Sequence, residues 1–226
     1  MTTIQAEKLF DLSTFPLINL FENQNQVWEV LGAPLKEFCQ RLQGRVIEGK
    51  ICPGAFIEGE GIYIGPGAVV EPGAFIKGPC WIGPGTEVRH GAYLRGNVIA
   101  GRNCVIGHTT EVKNSIFLND AKAGHFAYVG DSILGNHVIL GAGTKLANLK
   151  IIPGNVILNI KGQKIDSGLR KFGAILGDRT ELGCNSVTSP GTILAPGSLV
   201  FPAIGIKGVF LEKTILRESN MNAPRR

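Results

Sequence analysis

From Ile64 onward an aliphatic or small residue returns at every sixth position: Ile64, Val70, Ile76, Ile82, Val88, Leu94, Ala100, Ile106 and Val112. Four places beyond, the residue is again small, through Ala68, Ala74, Cys80, Thr86, Ala92, Val98, Cys104 and Thr110. Gly or Pro commonly falls between, as in IGPGAV, VEPGAF and IGPGTE. A period of six matches no helix and is too short for a hairpin. It suits short flat strands joined by sharp corners, with the aliphatic residue inward and Pro-Gly or Gly-Asn supplying the turn torsions. Three units close a triangular coil, and coils stack at the parallel-sheet spacing of about 4.8 Å. One coil cannot bury its own apolar face, so stacked inward residues must hold the fold. The pattern therefore predicts a parallel β-helix.

Outside the repeats the rhythm changes. Val27, Leu31, Leu35, Phe38 and Leu42 fall near helical spacing, broken at Gly32-Ala33-Pro34. Two short helices are expected there, within an N-terminal cap over residues 1–45 that covers the open end of the first coil. Weak six-residue units begin near Ile51 (ICPGAF), so the β-helix is expected over 46–206. The period fails between Leu146 and Gly173, a Lys- and Arg-rich stretch that must leave the helix as an excursion at about 147–173. A loop of that length in a compact domain is functional or disordered. Residues 207–226 read as a polar, basic tail.

Composition narrows the function classes. The 226 residues hold 31 Gly and 12 Pro without a Gly-X-Y period, which excludes collagen, and the 44% hydrophobic content suits a packed core. Net charge is +5 from 23 Lys and Arg against 18 acids, a balance that suits an anionic small molecule. No dense basic stripe points to nucleic acid. Five scattered Cys without a CxxC pair read as reduced core residues. Neither a secretory leader nor an apolar run of membrane-spanning length is visible, so a cytoplasmic protein without a membrane partner is expected.

The segment from Glu111 to Lys150 carries E-x-K at Glu111–Lys113, A-G-H-x-x-Y-x-G-D at Ala123–Asp131 and G-A-G-T at Gly141–Thr144. It resembles the acetyltransferase half of the bacterial bifunctional enzyme of UDP-N-acetylglucosamine biosynthesis. It is also similar to archaeal sugar-phosphate nucleotidylyltransferases with a C-terminal β-helix, which share the stretch at 160–178. The resemblance implies a left-handed winding, a homotrimer, and acetyl transfer from acetyl-CoA to the amine of an amino-sugar 1-phosphate, either glucosamine 1-phosphate or galactosamine 1-phosphate. His125 then occupies the base position, a role that suits imidazole because a proton must leave the attacking amine. Lys113 and Tyr128 would touch the sugar phosphate. Arg95 would clamp its phosphate, with Arg89 the competing assignment. Asn148 would hold the amino sugar or the developing oxyanion. Gly143, in the G-A-G-T motif, and Cys184, where the family places a serine, would lie beside CoA. The lysines of 150–171, Lys171 among them, read either as a solvated loop face or as a clamp for CoA phosphates.

Two other readings use the same fold. Ile139 and Leu149 stand where the family has polar residues, which favours a non-catalytic scaffold or a regulatory subunit partnering a sugar nucleotidylyltransferase. A zinc-dependent carbonic anhydrase of the β-helix type needs a close histidine pair that the spacing of His90, His108, His125 and His137 does not give, so no metal is expected.

Overall fold

The computed structural model describes residues 3–218. They form a three-sided parallel β-helix with one short α-helix and three 3-10 turns. The first and second faces hold nine strands each and the third holds eight. In one coil the chain runs Val98–Ala100 on the first face, Val105–His108 on the second and Glu111–Lys113 on the third. Every pairing between coils is parallel. Inward columns carry the apolar ladders: Ile64, Ile82, Ala100, Phe117 and Leu134 on the first face, Val70, Val88 and Ile106 on the second, Ile76, Leu94 and Val112 on the third. All are buried.

The coil length is not constant. The register steps from Cys80 to Val98, eighteen residues, but from Val98 to Ser115 only seventeen. The missing residue comes out of the corner between the third and first faces. Arg95-Gly96-Asn97 turns that corner in the longer coil with both Gly96 and Asn97 at positive φ. In the next two coils single left-handed residues do so, Asn114 at φ 44 and Asp131 at φ 48. Asn and Asp tolerate this backbone better than other L-residues because their short polar side chains bond locally.

First-face strands are apolar on both sides. Their outward residues Ile99, Ile116, Ile133, Ile175 and Ile193 are buried under the N-terminal segment and the excursion. The 3-10 turn Val27–Leu31 and the helix Ala33–Arg41 occupy the two expected helical stretches. They do not sit over the first coil, however. The segment runs along the flank, because that is where five outward isoleucines need cover. Side chains of the corners fasten it: Asn114 donates to the Leu31 carbonyl at 3.1 Å, Asn119 to that of Thr14 at 3.1 Å and Asn136 to that of Asp11 at 2.8 Å.

The excursion leaves after Lys145–Leu146 and returns at Ala174–Leu176. It folds as an antiparallel hairpin, Ile157–Ile160 against Gln163–Asp166, whose Val156, Leu158 and Ile160 join the same flanking cluster. Coils continue past 206, since Val209–Phe210 and Ile215–Leu216 still pair with the stack; the rest of the expected tail, 219–226, lies outside the described residues. Cys39, Cys80 and Cys104 are buried thiols, pushed up by burial to about 12 in Cys39 and Cys104, whereas Cys184 is exposed on a corner. No described helix is long and apolar enough to cross a membrane.

The flank interface is as well buried as the ladder interior. Ile116→Ala should therefore lower unfolding free energy by about 2–5 kcal/mol in a urea titration. A loss below about 1 kcal/mol would mean that the N-terminal cover packs loosely on the coils.

Candidate active site

The shortened corner gathers polar side chains from three successive coils. Asp131 is buried there and acts as the node. Its Oδ1 accepts from Asn114 Nδ2 at 3.0 Å, and its Oδ2 accepts from Lys113 Nζ at 3.0 Å and from Asn148 Nδ2. The Lys113 side chain keeps 19% of its surface exposed, so its ammonium is held by a buried carboxylate yet open to solvent on one side. Such charge-assisted bonds are about twice as strong as neutral ones and fix three side chains at once.

Gly130 makes this gathering possible. A Cβ there would lie 2.6 Å from both the Tyr128 hydroxyl and the Asn148 amide nitrogen. The two groups fill the space a side chain would take. Burial raises the Tyr128 phenol above its ordinary value; its hydrogen bond with Asn148 pulls the other way, and the charges of Asp131 and Glu111 add to the rise. The hydroxyl therefore stays protonated, a donor, throughout the physiological range.

Third-face register brings Val112 beside Leu94, so Lys113 follows Arg95 in the outward column. The Arg95 guanidinium lies 2.6 Å from Glu111 Oε1, and that bond raises its already high value further. A guanidinium has five N–H donors, so others remain for an anion. Arg89 belongs elsewhere: it follows the second-face strand Glu87–Val88 and pairs with Glu87 at 2.7 Å. The structure thus groups Arg95, Lys113, Tyr128 and Asn148, and leaves Arg89 out.

His125 is the last residue of the second-face strand Lys122–His125, beside the corner that leads into the other edge of the third face, and is exposed. Its register partner in the preceding coil is His108, whose ring stacks on that of His90 at 5.6 Å. Above it, the Gly143 N–H donates to the His125 carbonyl at 3.0 Å. One coil further, the Asn185 N–H donates to the Ala142 carbonyl, which places Cys184 in the same corner column. His125, Gly143 and Cys184 therefore share one edge of the face, while the Lys113 and Asn148 set occupies the other. Lys171 does not join the Gly143 edge. It bridges Leu149 at the foot of the excursion, beside Asn148, where Phe172 N–H donates to the Asn148 carbonyl at 2.9 Å.

Sequence reasoning passed over Asp131, Asn114 and Glu111. Asp131 closes the longest motif and Asn114 follows E-x-K directly, so both were visible; no role attached to them without the corner geometry. The shortened coil was also visible, since inward residues step by five from Val112 to Phe117.

Six-residue units wound as a three-sided parallel stack, with these side chains along one outer face, define a hexapeptide-repeat β-helix protein. The chain belongs to the GMPPB C-terminal domain family, whose model matches residues 76–211. It is 40% identical over 173 residues to the bifunctional protein GlmU of Methanococcus maripaludis, covering 76% of this chain and 41% of that protein. Against the protein of the same name from Methanococcus vannielii it is 32% identical over 218 residues, 87% of this chain and 46% of the other. A bifunctional sugar-1-phosphate nucleotidylyltransferase/acetyltransferase of Sulfurisphaera tokodaii matches at 39% over 97 residues, 43% of this chain and 24% of that one. The chain spans less than half the length of these relatives. Among solved structures, the UDP-N-acetylglucosamine acyltransferase of Francisella novicida overlaps 73% of this chain and 65% of its own at 14% identity and a TM-score of 0.45. The matches bear out the family resemblance read from the motifs.

A phenol whose folded value is raised contributes stability below its unfolded value, about 10, and loses it as pH rises through the folded value. Tyr128→Phe should therefore make the loss of stability above pH about 10 shallower than in wild type, and remove one late phenolate from an alkaline absorbance titration. An unchanged alkaline slope would place that hydroxyl in solvent.

Proposed function

We propose that this chain transfers an acetyl group from acetyl-CoA to the amine of an amino-sugar 1-phosphate, glucosamine 1-phosphate or galactosamine 1-phosphate, in nucleotide-sugar biosynthesis. The observation that carries this reading is the division of one outer face into two edges. Cationic and amide donors stand at one edge and an exposed imidazole at the other. The relatives include a bifunctional sugar-1-phosphate nucleotidylyltransferase/acetyltransferase, which supports the same reaction class.

In this mechanism Arg95 and Lys113 bind the acceptor phosphate, the Tyr128 hydroxyl donates to the sugar, and Asn148, whose amide N–H groups are held by Asp131 and Tyr128, accepts from the sugar through its carbonyl oxygen. His125 takes the proton from the amine as its nitrogen attacks the thioester carbonyl. The tetrahedral oxyanion collapses, the C–S bond breaks, and the CoA sulfur leaves with a proton returned by the imidazole. Gly143 and Cys184 line the edge along which the thioester arm approaches His125; Lys171 serves the sugar side or solvent, since it stands beside Asn148. Ile151 and Ile152 are 101% and 77% exposed and Phe126, Ile139 and Val187 are also uncovered, apolar surface that neighbouring subunits of a homotrimer would bury.

Ile139 and Leu149, outward and exposed where the family carries polar groups, favour a second reading: a non-catalytic partner of a sugar nucleotidylyltransferase. CoA release across glucosamine 1-phosphate, galactosamine 1-phosphate and their 6-phosphates separates the two. Turnover of none in wild type gives the second reading the lead.

Arg95→Ala should raise the acceptor KM by about tenfold or more and leave the acetyl-CoA KM nearly unchanged. An unmoved acceptor KM would remove the phosphate from this column. His125→Ala should lower kcat by about 10²- to 10⁴-fold with the fold intact. Wild-type kcat in that variant would sink the assignment of the base.

A further inference from the structure

The third corner of the helix, between the first and second faces, carries neither edge of the candidate active site. There a cleft of about 520 Å³ lies between the corner column and the N-terminal segment at Asp11 and Thr14. Its volume falls within the usual range for small-molecule sites. Successive coils place Arg102, Asp120, His137, Arg179 and Gly197 along it, and Lys213 closes its far end.

Three cations and three carboxylates line the cleft, so formal charge is balanced; the hydrogen bonds are not. Asp178 accepts from Asp11 N–H at 2.8 Å, Asn136 N–H at 2.7 Å and the Asn136 amide at 3.1 Å. The Ser13 hydroxyl and the Ser13 N–H, the latter at 3.0 Å, donate to Asp11 and hold its carboxyl below the usual range. Asp120 lies 3.4 Å from the Asn103 amide and 3.9 Å from the His137 ring. The cations are left over. Among the described residues neither the Arg179 nor the Lys213 side chain has a hydrogen bond or ion pair, and Arg102 has only one side-chain bond, at 3.3 Å to the Thr14 carbonyl. Gly197 separates Arg179 from Lys213, whose Cε would stand 3.5 Å from any Cβ at that position. The lysine stem thus lies over a floor without a side chain, between two free cationic heads.

We infer that this cleft is a second anion site, which takes the phosphate group of a small phosphomonoester between Arg179 and Lys213, with His137 and Arg102 further along the column. Asn136 and Asn119 are already committed to the N-terminal segment, so the site recognises the phosphate rather than the organic group.

The inference stands apart from the proposed acetyl transfer, and one experiment keeps them separate. The thermal midpoint of the full chain is followed against inorganic phosphate at constant ionic strength, with chloride as the balancing anion. The same titration is run on Arg179→Ala/Lys213→Ala and on Arg95→Ala. Both replaced side chains of the double variant are exposed and unpaired, so its fold should survive, as far-ultraviolet circular dichroism would verify. A saturable rise is expected in wild type and in Arg95→Ala, with affinity weakened about tenfold or more in the double variant. Glucose 1-phosphate and a nucleoside monophosphate, titrated in turn, show which phosphomonoester the cleft prefers. No saturable rise in wild type, an equal rise in the double variant, or its loss in Arg95→Ala instead would each overturn the inference.

Discussion

Everything in this molecule depends on the hydrogen-bonded register between coils. Each strand bonds to the one a coil earlier and a coil later, so equivalent positions are held about 4.8 Å apart. That spacing leaves no freedom to choose neighbours: a side chain meets the residue sixteen to nineteen positions away, or forty-two across the excursion, whether or not the two are compatible. Inward, the rule produces ladders of Ile, Val and Leu. Outward, it produces columns, and each column is a surface whose chemistry is set by a few sequence positions. Lys113 and Arg95 are neighbours for this reason, as are His90 and His108.

Departures from the rule locate the chemistry. The corner that loses one residue is the corner at which Asn114 and Asp131 take left-handed backbone, and at which Lys113, Tyr128 and Asn148 converge. Gly130 and Gly173 keep the coils in contact there. A Cβ at Gly173 would collide with the Gly130 carbonyl and the Ser132 hydroxyl, so the chain can re-enter the stack after its excursion only with a bare backbone. The candidate site is thus built where the repeat is most perturbed, and a single carboxylate holds Lys113, Asn114 and Asn148 together, while the buried Asn114 Oδ1 has no partner.

How much of this the sequence displayed varies with physical cause. The six-residue period exposes inward positions directly, because burial inside the coil demands aliphatic residues there; Ile64 through Val112 suffice to give the architecture. The outward isoleucines at 99, 116, 133, 175 and 193 were equally visible, as strands apolar on both faces, the pattern of a sheet covered on both sides. They mark the flank as the place for the N-terminal segment, and a reading fixed on the open end of the solenoid overlooks them. The chemical residues were legible by motif, yet motif carries no distance. Nothing in the letters separates the His125 edge from the Asp131 corner, or shows that Lys171 returns beside Asn148 rather than beside Gly143.

The bond between the Asp11 N–H and Asp178 also sets an order in time. Leu9, Phe10 and Phe15 are made before the coils they dock on, since Ile175 and Ile193 must already be coiled before these side chains have a complete flank to rest on. Coils can nucleate and propagate through neighbour contacts alone. The N-terminal segment cannot, and must wait, its aromatic side chains uncovered, until the coils that carry Ile175 and Ile193 are made. Once docked, it ties distant coils together, so that a stack able to fray rung by rung gains a reason to unfold as one body.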